Sequence, residues 1–318
     1  MNSPGKQRID AIDQFRGFAI LAMVLVNYAA DIQIIPAWFK HAPDIGLTFA
    51  DLVAPMFIFA IGLTFGLSAR RRVERNGMSA TIRHFLRRFL ALMGLGAILS
   101  AAESMLGLNT SGVDWSVLQS IGGAGLITLT VIFLPTKVRL GFGIGLLIVY
   151  QFLLDGFWLD WVLRSPHGGL AGTLSWSAML VLATVFGDLF QDEAHRKYFP
   201  LVALLSLAAG LSLVWIVPVS KNRVSASYDL ITLGISGLIF SVFFLTKFHL
   251  RPLSAWGQNP ILLYNLHYLL IGIFVLPGIP AWHAQAPFWL VGFQTLFLLA
   301  ILNTIAMHWY RKGFVFSL

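Results

Sequence analysis

Cysteine is absent from all 318 residues, which removes disulfides, thiol nucleophiles and Cys-based metal sites from consideration. Charge is scarce as well. Only 11% of the residues are Asp, Glu, Lys or Arg, against about 25% in a soluble globular chain. Acidic residues are the scarcer sign, 14 against 22 Lys plus Arg, for a net charge of +8. No internal repeat is visible, so an inverted-repeat transporter has no support.

What fills the chain is apolar length. Hydrophobic residues make up 57% of it and the mean hydropathy is positive, +0.77, so the sequence reads as an all-α integral membrane protein. Ten apolar runs approach the twenty residues that cross a hydrocarbon core as a helix: 16–33, 47–68, 88–107, 116–134, 139–154, 173–190, 199–217, 228–246, 260–277 and 288–309. The fifth is short and Gly-rich, and 155–172 after it mixes Trp, Asp, Arg and Gly. Lys and Arg collect on the cytoplasmic side of membrane proteins. With ten spans and both termini cytoplasmic, 18 of the 22 fall inside, leaving Lys40, Arg164, Lys221 and Arg223 outside. The net charge is then mostly a topology signal, and nothing points to nucleic acid. The opening MNSPGKQRIDAIDQFRGF lacks a small-residue cleavage site after a short apolar core, so the first span is expected to be retained.

Chemistry concentrates at 38–59, WFKHAPDIGLTFADLVAPMFIF, where a polar loop carrying His41 runs into a helix opened by an acid, Asp51. Thr48 to Asp51 has capping-box spacing, so Asp51 is read equally as a cap and as a functional group. Pro55 is expected to kink the helix that follows. Asp13 is expected to N-cap the first span, with Arg16-Gly17 at the interface. Asn27 lies near the outer end of that span, where an amide in lipid needs a partner: a helix-helix hydrogen bond or a functional site.

Residues 69–88 read as a long basic cytoplasmic loop, first of all an anchor, although arginines at a bundle opening also suit phosphates. Glu103 and Asp114 flank a short outer loop at 108–112, and Gly122, Gly123 and Gly125 allow close helix contacts. Asp188 and Asp229 sit near span ends and read as interfacial or capping groups. Pro218 to Arg223 places Lys221 and Arg223 on the side otherwise nearly free of cations. Near the ninth span, Tyr264 and His267 share a helix face and Asn259 stands at its mouth. Such polar groups face a cavity or form a satisfied structural network.

Several of these blocks resemble the heparan-α-glucosaminide N-acetyltransferase family, within the transmembrane acyltransferases. They are Arg8 to Gly17, Met23 to Tyr28, Phe39 to Ala42 with Gly46-Leu47-Thr48 and Ala50 to Val53, Pro218 to Asn222 with Ser227-Tyr228, and Gly257 to Tyr264 with His267. The matches extend from the first span to the ninth. The resemblance implies a bacterial-type member, with the whole of 1–318 as a single transmembrane acyltransferase domain. It implies an enzyme of the inner (plasma) membrane that takes an acetyl group from cytosolic acetyl-CoA and gives it to an amino sugar on the outer side, without a metal. It assigns His41 as the essential histidine and Asn27 as the conserved amide. The sequence departs from the family at Asp44-Ile45, where Trp-Asn is usual, and at Ser120, where an Arg is usual; these touch the acceptor and the donor contacts respectively.

Acyl transfer to an amine needs a group to take its proton, a role suited to imidazole near neutral pH, or a nucleophile to carry the acetyl group. His41 is the candidate for either. Asp51 and Asn27 would orient the imidazole or hydrogen-bond the thioester carbonyl, with Asn259, Tyr264 and His267, and Lys221 and Asn222, as substrate contacts. Arg87 and Arg88 would meet the CoA phosphates. The partners expected are the bilayer and a small-molecule or glycan acceptor, with self-association left open. O-acylation of a surface glycan, and transport of a lipid or sugar intermediate, are the other readings of the same residues.

Overall fold

The computed structural model describes residues 10–106, 114–246 and 249–316, and among them every regular element is helical. The outer loop expected at 108–112, Lys6, Arg8 and Lys247 lie outside the described residues. The helices are α1 Asp10–Ala29, α2 Val53–Asn76, α3 Met78–Met105, α4 Val117–Val131, α5 Thr136–Leu153, α6 Leu159–Val162, α7 Gly169–Gln191, α8 Phe199–Leu213, α9 Ala226–Thr246, α10 Arg251–Gln258, α11 Pro260–Val275 and α12 Phe288–Arg311. Each of the ten apolar runs overlaps one helix. Among the described residues seven helical stretches are long and apolar enough to cross a membrane, and α4 and α11 are shorter apolar helices. The chain is an integral membrane protein built of helices.

The chain separates into two compact units. Of the described residues, the first comprises 10–41, 48–53, 239–246 and 249–316; the second comprises 42–47 and those within 54–238.

In the first unit α1 packs most extensively on α10, a short helix with no apolar run to announce it. The crossing is nearly backbone to backbone. A Cβ on Gly17 would fall 1.9 Å from the Leu253 carbonyl oxygen, and one on Gly257 would fall 1.8 Å from that of Asp13. Between helices in lipid, such close van der Waals contact replaces the hydrophobic drive of water. The start of α1 is also tied down by Asp10, which accepts from His249 Nδ1 at 2.6 Å and Ser254 Oγ at 2.8 Å. Asp13 is not an N-cap. It lies buried inside α1 and pairs with Arg16 at 3.4 Å, because the helix begins a turn earlier than the apolar run.

In the second unit α7 is the central helix, packed against both α4 and α5. Its span is 83% buried, against 28% for the span containing α3. The α4 glycines do what small residues in lipid do: a Cβ on Gly125 would meet the Phe89 ring at 2.2 Å, and one on Gly123 would meet Thr173 at 2.6 Å.

Three expectations need correction. The basic stretch 69–88 is helical, α2 running to Asn76 and α3 starting at Met78, with only Gly77 between them at φ 80°. Ala, Arg, Glu and Met sustain the helix, and a left-handed Gly breaks it. Pro55 falls in the first turn of α2, directly after the 3-10 turn Ala50–Leu52, near a helix start where proline is tolerated. The fifth span is longer than its apolar run, since α5 passes through a π-turn, Leu154–Trp158, into α6 as a continuous 27-residue stretch. Asp188 and Asp229 are not interfacial caps. Asp188 accepts Arg139, which is fully buried, and also Thr136, and lies 3.5 Å from Arg70. Asp229 is fully buried in the first turn of α9 and accepts Ser175 Oγ at 3.0 Å.

Candidate active site

His41 follows a short 3-10 turn, Ala37–Phe39, and Asp51 sits in another, Ala50–Leu52, that leads into α2. The two turns are held together within the first unit. Phe49 N donates to the Trp38 carbonyl at 3.1 Å, and the Phe39 and Phe49 rings stack 5.3 Å apart. This closes the polar loop so that His41 Nδ1 lies 2.8 Å from Asp51 Oδ1. The other carboxylate oxygen accepts from Thr48 N at 3.0 Å and from Thr48 Oγ1 at 2.9 Å. The capping-box reading was therefore half the answer: one oxygen serves the backbone and the other serves the imidazole.

The exposures of the two side chains differ sharply, 0% for Asp51 and 41% for His41. A buried carboxylate next to an accessible imidazole fixes the ring by its Nδ1–H and turns Nε2 outward with its lone pair. The arrangement is that of the acid-histidine half of a catalytic triad. The turn carrying Asp51 also packs on α1, the helix that carries Asn27.

Asn27 is half-buried, and its Nδ2 is 2.9 Å from His267 Nε2 in α11. The His267 ring is fully buried, its Nδ1 faces the Tyr264 carbonyl, and its centroid is 5.4 Å from the Tyr264 ring and 4.4 Å from that of Tyr268. The turn after α1 is braced by Tyr28, whose hydroxyl donates to Gln294 Oε1 at 2.6 Å while Gln294 Nε2 donates to the Trp282 carbonyl at 2.9 Å. Sequence reading missed that brace; only the tyrosine beside Asn27 hinted at it.

The remaining candidates divide. Asn259 is committed elsewhere, donating to the Phe314 carbonyl at 2.9 Å and accepting from Phe316 N at 2.7 Å, so its amide fastens the C-terminal segment. Lys221 and Asn222 belong to the second unit. There Lys221 is buried, and Asn222 Nδ2 donates to the Pro43 carbonyl at 2.7 Å. The same loop carries Arg223, which grips Asp44 through Nε at 3.0 and 3.1 Å and through Nη2; Ser220 Oγ adds a bond to Asp44 at 2.8 Å. Arg223 holds the Asp44 carboxyl below its ordinary range, and Asp44 raises Arg223 in return. Asp44, one of the departures from the family pattern, is thus the anchor of a two-loop clamp. On α3, Arg87 is exposed and Arg88 half-buried.

A family model described as the catalytic region of heparan-alpha-glucosaminide N-acetyltransferase matches residues 8–213. Over 68 residues the chain is 44% identical to the heparan-alpha-glucosaminide N-acetyltransferase of Homo sapiens and 42% identical to that of Mus musculus. Each alignment covers 21% of this chain and 10% of the relative, so the chain matches about a tenth of the length of these curated proteins.

Proposed function

The chain belongs to the heparan-alpha-glucosaminide N-acetyltransferase catalytic family, and from that membership we propose that it transfers an acetyl group from cytosolic acetyl-CoA to an amino group of a sugar or glycoconjugate on the opposite side of the membrane. The observation that carries the proposal is the buried Asp51 carboxylate 2.8 Å from the Nδ1 of a partly exposed His41. In the direct route, the acceptor amine attacks the thioester carbonyl and gives its proton to His41 Nε2. The carbon–sulfur bond then breaks and CoA leaves as a thiolate, which is reprotonated. Asp51 keeps the ring in the tautomer that leaves Nε2 basic. In the covalent route the same lone pair attacks first and holds the acetyl group until the amine displaces it. Asn27 donates an amide N–H to the carbonyl oxygen as negative charge develops there.

We assign the chain as a single acyltransferase domain with ten spans and both termini on the cytoplasmic side, in a plasma membrane, with His41 outside. The segregation of Lys and Arg supports this topology. It sets Arg87 and Arg88 at the cytosolic end of α3, where they meet the CoA phosphates. The test is transfer of labelled acetyl from acetyl-CoA to a panel of amino and hydroxyl sugars by purified protein in detergent. Wild type should release CoA only with an amino acceptor, and His41→Ala should abolish transfer while melting like wild type. Full transfer by a folded His41→Ala variant overturns the proposal. Hydroxyl acceptors alone would make the enzyme an O-acyltransferase.

A further inference from the structure

His267 is fully buried, yet both of its ring nitrogens are engaged. Nδ1 faces the main-chain carbonyl of Tyr264, one helical turn back. A carbonyl only accepts, so the ring hydrogen is on Nδ1. A ring with one hydrogen then offers a lone pair at Nε2, which lies 2.9 Å from the amide nitrogen of Asn27, 240 residues away in sequence. Only an N–H can be given to a lone pair. His267 therefore decides which way the Asn27 amide is turned: nitrogen toward the imidazole, with Oδ1 and the second N–H facing away.

We propose that His267 is a positioning residue for acyl transfer, acting through Asn27 and never on the substrate itself. The proposal rests on the reading that the Asn27 amide hydrogen-bonds the reacting carbonyl. An asparagine alone is indifferent to its two amide orientations, and half the rotamers would point a lone pair at the developing oxyanion, which repels it. The Nε2 acceptor removes that choice before substrate arrives, which is the preorganisation on which oxyanion stabilisation depends. The Tyr264 and Tyr268 rings hold the imidazole plane from its sides. The role is specific to the lone pair: a side chain of similar bulk that cannot accept leaves the amide free to turn, whereas one that can accept restores it.

The experiment has a spectroscopic arm and a kinetic arm. In protein labelled with nitrogen-15 at histidine, the ring shifts of His267, assigned by their loss in His267→Gln, should report the Nδ1–H tautomer. The Nε2 signal should move in Asn27→Leu. In the transfer assay, His267→Leu should lower kcat by about 10- to 100-fold, the range expected of a misplaced catalytic group, with KM for acetyl-CoA and the shape of the pH-rate profile kept. His267→Gln, whose Oε1 can accept the same N–H, should recover most of the lost kcat. An Nε2–H tautomer in wild type overturns the proposal, as does a folded His267→Gln no better than His267→Leu. If His267→Leu does not fold, the tautomer in wild type and its response to Asn27→Leu decide the matter. Because the tautomer is read without turnover, its outcome is separate from any failure of acetyl transfer itself.

Discussion

Replacing Asp51 by Asn changes almost no volume and removes one charge, yet it cannot be accommodated quietly. The carboxylate accepts on both sides: from His41 Nδ1 at 2.8 Å, and from Thr48 N and Oγ1 at 3.0 and 2.9 Å. An amide has only one accepting atom. If its oxygen keeps the two Thr48 donors, its NH2 faces His41 and demands a lone pair at Nδ1, which moves the ring hydrogen to Nε2 and blocks the base. If its oxygen faces His41, the NH2 opposes the Thr48 N–H and one buried donor is orphaned. The first arrangement keeps more bonds, since it satisfies two donors rather than one, so the wrong tautomer is the favoured result. The corresponding loss in a serine protease triad is about 10⁴-fold in kcat. Here the imidazole is 41% exposed and can be re-solvated, so a loss of roughly 10³-fold is expected, about 4 kcal/mol in the barrier. Stability should fall by only about 1–3 kcal/mol, one unsatisfied or exchanged buried hydrogen bond. Acetyl transfer measured beside a thermal melt in detergent separates the two effects. An Asp51→Asn enzyme within a few-fold of wild type would show that the carboxylate does not set the tautomer of His41, and the dyad argument would fall.

Two further predictions concern the scaffold. Asp188→Asn leaves the fully buried Arg139 with an uncompensated charge, so a loss of about 3–5 kcal/mol is expected; a melting temperature equal to wild type would refute that account of the cluster. The Asp44–Arg223 clamp should depend on pH in one direction. The Asp44 carboxyl is held below its ordinary range by Arg223, so the unfolded chain takes up the proton first. The stabilisation is full above the ordinary aspartate value and is lost as pH falls through the lowered folded value. Melting curves of wild type and Asp44→Asn should therefore differ at neutral pH and converge in acid; a gap that widens in acid has the wrong sign.

Local chemistry was legible where the contact was local. His41 and Asp51 are ten residues apart on one loop, and a polar loop meeting an acid-opened helix marks them out. Asp51 bonds both the backbone of Thr48 and the imidazole of His41. The distant pairs were not legible. Asn27 and His267 are separated by 240 residues, and Asp44 and Arg223 by 179. Asn27 and His267 were both expected at the site, but nothing in the sequence paired either of them, or Asp44, with its partner. Asn259 shows the opposite error: a polar residue at a helix mouth invites a substrate role, and it turned out to fasten the C-terminal segment.

The amino-acid order by itself determined that this is a helical membrane protein, where its apolar stretches lie, and which loop carries a histidine beside an acid. Those properties follow from the length and polarity of short segments, which water and lipid sort independently of any distant residue. Tertiary packing alone decided which buried polar groups meet. A hydrogen bond across helices depends on their rotation and crossing distance, set by close approaches such as Gly17 on Leu253 and Gly257 on Asp13. That is why the partner of Asn27 had to be seen rather than read.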